Sequence, residues 1–104
     1  MNESFINKVE IKGRVGEVYD RSDYYQLSIL VCSTSQSIDG MTVIENTWLD
    51  CIIAKKDLKG TPDKGDTCHI KGRLRQRDYL GSNGDRRIIY QVVGKEGTVE
   101  LREP

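Results

Sequence analysis

The sequence predicts an all-β fold, a five-stranded Greek-key barrel with little helix. Two observations carry this. Five runs with strand patterning follow one another, separated by Gly-, Asn- and Asp-rich turns. The one long connection, between the third and fourth runs, is too broken by glycine and proline to hold more than a turn of helix.

The elements follow in order. Val9, Ile11, Gly13 and Val15 alternate with Lys8, Glu10, Lys12 and Arg14, the period of two expected of a half-buried strand. Asp20–Asp23 bends the chain into Tyr25–Cys32 (YQLSILVC), a near-continuous apolar run expected to be buried on both faces. Ser33–Gly40 reads as a polar loop, and Thr42–Ala54 as a third strand around Trp48. The connection Lys55–Gly65 holds one apolar residue, Leu58, and is broken by Gly60 and Pro62. Thr67–Tyr79 alternates cleanly, with Cys68, Ile70, Gly72 and Leu74 on one face and His69, Lys71, Arg73, Arg75, Arg77 and Tyr79 on the other. Gly81–Asp85 is a hairpin turn, Arg87–Val93 a fifth strand, and Gly97–Leu101 a short sixth. This order fits an OB-fold, one domain over residues 1–104 with its core at about 5–101. An SH3-like barrel and a sandwich fragment share part of the pattern.

Composition excludes several classes. Sixteen basic residues balance sixteen acidic ones, against a histone-like polycation or an acidic tail. No apolar run approaches the ~20 residues of a membrane helix, and the first residues lack the apolar core of a secretory signal. A cytoplasmic protein with no membrane association and three reduced cysteines is the expectation.

Catalytic signatures are missing. There is no G-x-S-x-G, H-E-x-x-H or P-loop, and the single histidine, His69, has no acid beside it in sequence. Cys32, Cys51 and Cys68 lack C-x-x-C spacing and read as small core residues. No catalytic residue, metal or cofactor is expected.

The informative segment is Lys71–Tyr79. Lys71, Arg73, Arg75 and Arg77 leave one face of a strand in a row of roughly 20 Å. Tyr79 continues the row, and Arg86 and Arg87 return on the partner strand. Charge is split along the chain. Residues 1–66 carry eight basic and eleven acidic residues, whereas 67–104 carry eight basic and five acidic. The alternate neighbours of Trp48, Asn46 and Asp50, are polar, which turns the indole to an open face. A solvated charged face balanced by nearby acids would produce the row alone. Cations joined by exposed rings favour single-stranded nucleic acid, whose phosphates follow the cations while bases stack on the rings.

Three stretches resemble the bacterial single-stranded DNA-binding protein family. These are Asn7–Gly16 (NKVEIKGRVG), Asn46–Ile53 (NTWLDCII) and Lys64–Tyr79 (KGDTCHIKGRLRQRDY). The resemblance spans roughly residues 5–101. It implies a non-enzymatic OB-fold that binds single-stranded DNA in replication, recombination or repair as a homo-oligomer, tetramer or dimer, in the bacterial cytoplasm at the nucleoid. By position, Trp48 and Tyr79 would stack on bases. Lys12, Arg14, Lys55, Lys56, Lys71, Arg73, Arg75, Arg77, Arg86 and Arg87 are the candidate phosphate contacts. Phe5, Ile6, Val9 and Ile11 lie on the strand that usually makes the dimer contact.

The chain departs from the family at several places. Ala54 stands where a second third-strand aromatic is common, and Ile38 is the nearest match to a loop tryptophan. The family's Gly/Gln/Pro-rich linker and acidic tip do not follow Leu101. Primosomal replication proteins of the short OB type resemble the same domain. They imply the alternative function, a tailless OB-fold adaptor of the primosome or of a mobile element that meets replication or primosome proteins mainly through protein contacts.

Overall fold

A computed structural model describes residues 5–100 of the chain. The strands are β1 (Val9–Arg21), β2 (Tyr24–Gln36), β3 (Thr42–Ala54), β4 (Leu58–Lys59), β5 (Thr67–Leu80) and β6 (Arg86–Glu100). The order β3-β2-β1-β5-β6-β4 is closed by a parallel pairing of β3 with β6, Asp50–Ile53 against Gln91–Gly94. Five long strands therefore form the closed OB-fold barrel, and β4 adds two residues beside β6. A single 3-10 turn, Lys55–Asp57, is the helix of the long connection.

Closure leaves each long strand one inward face. Ile11, Val15, Leu27, Ile29, Cys51, Ile53, Leu58, Cys68, Ile70 and Val92 fill the interior. Strand crowding is tightest at Gly72, where a β-carbon would lie 2.0 Å from the Val93 carbonyl oxygen. Only glycine lets β5 and β6 approach so closely.

Several expectations change. β2 is buried on one face only: Leu27 and Ile29 are inside, while Gln26, Ser28 and Leu30 are half-exposed. Ser33–Gln36 is strand, paired with Thr42–Glu45, so the polar loop shrinks to the turn at 37–41. The expected fifth and sixth strands are one strand, β6. The register skips Lys95, since Lys71 opposes Glu96 and Gly72 opposes Gly94. That bulge shifts the inward parity from Val92 to Gly97 and makes one strand read as two. Leu101 lies outside the described residues. Cys32 is exposed, leaving Cys51 and Cys68 as the core thiols. Phe5 and Ile6 precede β1, and Ile11 faces the barrel interior, so it is not available for an intersubunit contact.

Two hairpins outrun the barrel, β2–β3 beyond Leu30–Trp48 and β5–β6 beyond Arg75–Gln91. They raise the radius of gyration to 16.0 Å, against about 13 Å for a compact chain of this length.

Candidate nucleic-acid interface

The outer face of β1-β2-β3-β6-β5 can be assembled row by row from the register. In one row Arg14 opposes Leu30, and Leu30 opposes Trp48. In the next, Glu17 opposes Ser28, Ser28 opposes Asp50, Asp50 opposes Gln91, and Gln91 opposes Arg75. In the third, Tyr19, Gln26, Ile52, Val93 and Arg73 follow in turn. Five strands at a spacing of about 4.8 Å make this face roughly 19 Å wide along the sheet. Rings occupy its β1–β3 flank, Tyr19 and Trp48. Cations occupy its β5 flank, Arg73, Arg75 and Arg77, continued by Tyr79 and, opposite it on β6, Arg87.

Trp48 is 59% exposed. It rests on the β1 bulge at Gly16, where a β-carbon would come within 2.6 Å of the indole. Arg14 and Lys64 line the same cleft. Lys64 is brought there by two backbone bonds that tie its loop to β1, from the Gly65 N–H to the Val15 carbonyl and from the Val15 N–H to the Asp66 carbonyl, both 2.8 Å. Tyr79 is 45% exposed on the arm.

The candidate cations are not equivalent. Arg14, Lys64, Arg73, Arg77 and Arg87 make no ion pair among the described residues. Lys56 is likewise unpaired there, but it stands on the 3-10 turn after β3. Lys12 pairs with Glu100 at 3.2 Å, and Lys71 with Glu96 at 3.9 Å. Lys55 is held by Asp20 at 2.6 Å and lies over the Tyr25 ring, so its pKa is raised, chiefly by the Asp20 hydrogen bond. Arg86 opposes Leu80 and faces away from the row, bonded to Asp78 at 2.7 Å. The row and its return strand thus share Arg87 and not Arg86.

Arg75 is tethered. Its Nε and Nη2 donate to Gln91 Oε1 at 3.1 and 2.7 Å. Gln91 Nε2 donates to Asp50 Oδ2 at 2.7 Å, and Gln26 Nε2 to Asp50 Oδ1 at 3.2 Å. Gln91 is 2% exposed, so this chain stitches β5, β6, β3 and β2 across the seam where the barrel closes. A buried amide with both ends satisfied is stable there; an unsatisfied one would cost about 1–3 kcal/mol.

The structure supplies the acid that the sequence lacks beside His69. Glu10 Oε2 lies 2.5 Å from His69 Nε2, and this bond holds the Glu10 carboxyl below its ordinary pKa. The pair sits between Lys12–Glu100 and Lys71–Glu96 in a ladder of cross-strand ion pairs on the β1-β5-β6 face. Such pairs support a sheet surface. Among the described residues no three His, Cys, Asp or Glu side chains gather as a metal would require.

Sequence reading misses Tyr19, Lys64 and the Gln26–Asp50–Gln91–Arg75 chain. Only Tyr19 carries a local signal, through the strained parity that a bulge at Gly16 resolves. Without that bulge, strict alternation from Val15 would turn Tyr19 inward.

No family model matches the chain, and no curated protein matches it. Solved structures do. A Plasmodium falciparum single-stranded DNA-binding protein, solved in complex with single-stranded DNA, shares 18% identity over 99% of this chain and 100% of its own, with a TM-score of 0.75. A deletion variant of the Thermus aquaticus single-stranded DNA-binding protein shares 13% identity over 92% of this chain, with a TM-score of 0.71. The match takes in 51% of that second protein's chain, about half its length. At these identities the likeness is one of fold, an all-β OB-fold of the form these proteins have.

Proposed function

We propose that this chain is a non-enzymatic single-stranded DNA-binding module working through the outer β1-β2-β3-β6-β5 face. The single observation that carries the reading is the division of that face into a ring-bearing flank and a cation-bearing flank. Trp48 offers a π-face to bases, and so does Tyr19 on the side of its ring not covered by the Arg21 guanidinium, which lies 5.2 Å from the ring centre, while Arg73 and Arg77 offer charge to the phosphates beside them. Tyr79 and Arg87 extend the track along the arm, and Arg14 and Lys64 border the indole. Lys12, Lys55, Lys71 and Arg86 are spoken for by acids and contribute less. The neighbours of like fold, one of them solved with single-stranded DNA, support the same reading.

Replication, recombination and repair are the processes that supply such a ligand, and a homo-oligomer, dimer or tetramer, in a bacterial cytoplasm is its setting. Retardation of a labelled oligo-dT in a native gel at low salt tests the binding. Unchanged mobility would contradict it.

One observation favours a second reading, an adaptor for replication or primosome proteins. Leu74, Leu80, Ile88 and Tyr90 are exposed on the reverse face of the β5–β6 arm. A partner complex that survives charge reversal of Arg73, Arg75 and Arg77 would support it.

A further inference from the structure

We infer that Asp50 makes the floor of the proposed DNA site selective for bases that carry an exocyclic amino group, cytosine above all, over bases that carry a carbonyl in that place. This inference rests on the single-stranded DNA reading and adds base preference to it. Between the ring flank and the cation flank the face carries no cation among the described residues. Its centre is the Asp50 carboxylate, half-buried, with Ser28 beside it on β2 and Gln91 beside it on β6.

The hydrogen bonds fix how these groups present themselves. Gln26 and Gln91 each donate one amide N–H to Asp50, at 3.2 and 2.7 Å, and each keeps a second. The Gln91 oxygen is spent on Arg75. Second amide N–H groups and the Ser28 hydroxyl stay open beside Asp50, but the one charged group at the centre is an acceptor, the carboxylate with its remaining lone pairs, next to the Gln26 oxygen. A carboxylate has lone pairs for about four hydrogen bonds and no proton to donate.

Such a floor acts on a bound strand in two ways. It repels phosphate, which keeps the backbone on the Arg73/Arg77 flank and turns the base edges inward. It then accepts from the base edge that reaches it. Cytosine N4–H₂ donates to carboxylates, the pairing by which Asp and Glu read cytosine elsewhere. Uracil and thymine place an oxygen at that position and meet the carboxylate oxygen to oxygen. Adenine, with its own amino group, falls between.

The test compares oligo-dC with oligo-dU of equal length, read by Trp48 fluorescence at one salt concentration. The two ligands have the same backbone charge and differ at the C4 substituent. A several-fold tighter Kd for oligo-dC, about fivefold or more, is expected from one good base contact. The wild-type protein should lose that preference for oligo-dC carrying N4,N4-dimethylated cytosine, which has no N4–H to donate. Asp50→Asn, near-isosteric and able to keep one bond to Gln91, should bring the two unmodified ligands within about twofold, below the single-contact discrimination expected here. Equal binding of both ligands by the wild type would overturn the inference and leave the DNA reading intact. So would a preference that survives dimethylation or Asp50→Asn. Failure to bind either ligand would overturn the DNA reading itself, and this inference with it.

Discussion

The Trp48 indole lies directly on Gly16, close enough that a β-carbon there would stand 2.6 Å from ring atom Cζ3 and 2.7 Å from Cη2. A bulge residue on one strand thereby sets the attitude of an exposed ring two strands away. The contact is with the far edge of an exposed side chain, so it can yield without disturbing the barrel.

Gly16→Ala separates binding from stability. The indole must tilt, while the core beneath is untouched. Stability measured by urea denaturation should fall by less than about 1 kcal/mol, the scale of a single surface substitution. Oligo-dT affinity should fall by roughly fivefold or more, as expected from impairing one stacking contact of about 1–3 kcal/mol.

Arg73 and Arg77 should behave differently from Arg86. The first two are unpaired among the described residues and face the proposed track, whereas Arg86 is bonded to Asp78 on the reverse side. Replacing both Arg73 and Arg77 by Ala should lower the slope of log K against log salt by about 1.4, at ~0.7 per phosphate contact for single strands. Arg86→Ala should leave the slope unchanged. Titrations at four or five salt concentrations measure both.

The thiols should split one to two. Burial, first of all, pushes the Cys51 thiol up to about 12 and the Cys68 thiol up to about 11, with neighbouring carboxylates adding to it. Both therefore stay protonated in the folded protein at neutral and mildly alkaline pH. Cys32 is exposed. A thiol-specific reagent at pH 8 should label Cys32 alone in the native protein and all three cysteines in denaturant. The raised values also fix a sign. The folded chain holds these protons more tightly than the unfolded one, so stability should decline as pH rises above the ordinary thiol value of about 8.5.

The barrel is legible in the sequence because burial on one face imposes a period of two. Val9–Val15 and Cys68–Gly72 show it plainly. The arms are not legible for the complementary reason. Ser33–Gln36 is exposed throughout β2's far end except for its pairing, so nothing in its side chains alternates. The bulges at Gly16 and Lys95 shift parity by one residue, which hides the outward position of Tyr19 and splits β6 in two on paper. The exposure of Trp48 is readable from its polar alternates. The Gln26–Asp50–Gln91–Arg75 chain is not, because barrel closure brings together residues from four separate strands. The same closure changes the meaning of the basic row, tethering Arg75 while Arg73 and Arg77 stay unpaired among the described residues.

Titration of Trp48 fluorescence with oligo-dT at two salt concentrations tests the central claim most directly, because the chain's one tryptophan lies in the proposed site. Saturable quenching at low salt that weakens steeply at high salt is the predicted result. No quenching at either concentration would contradict the account.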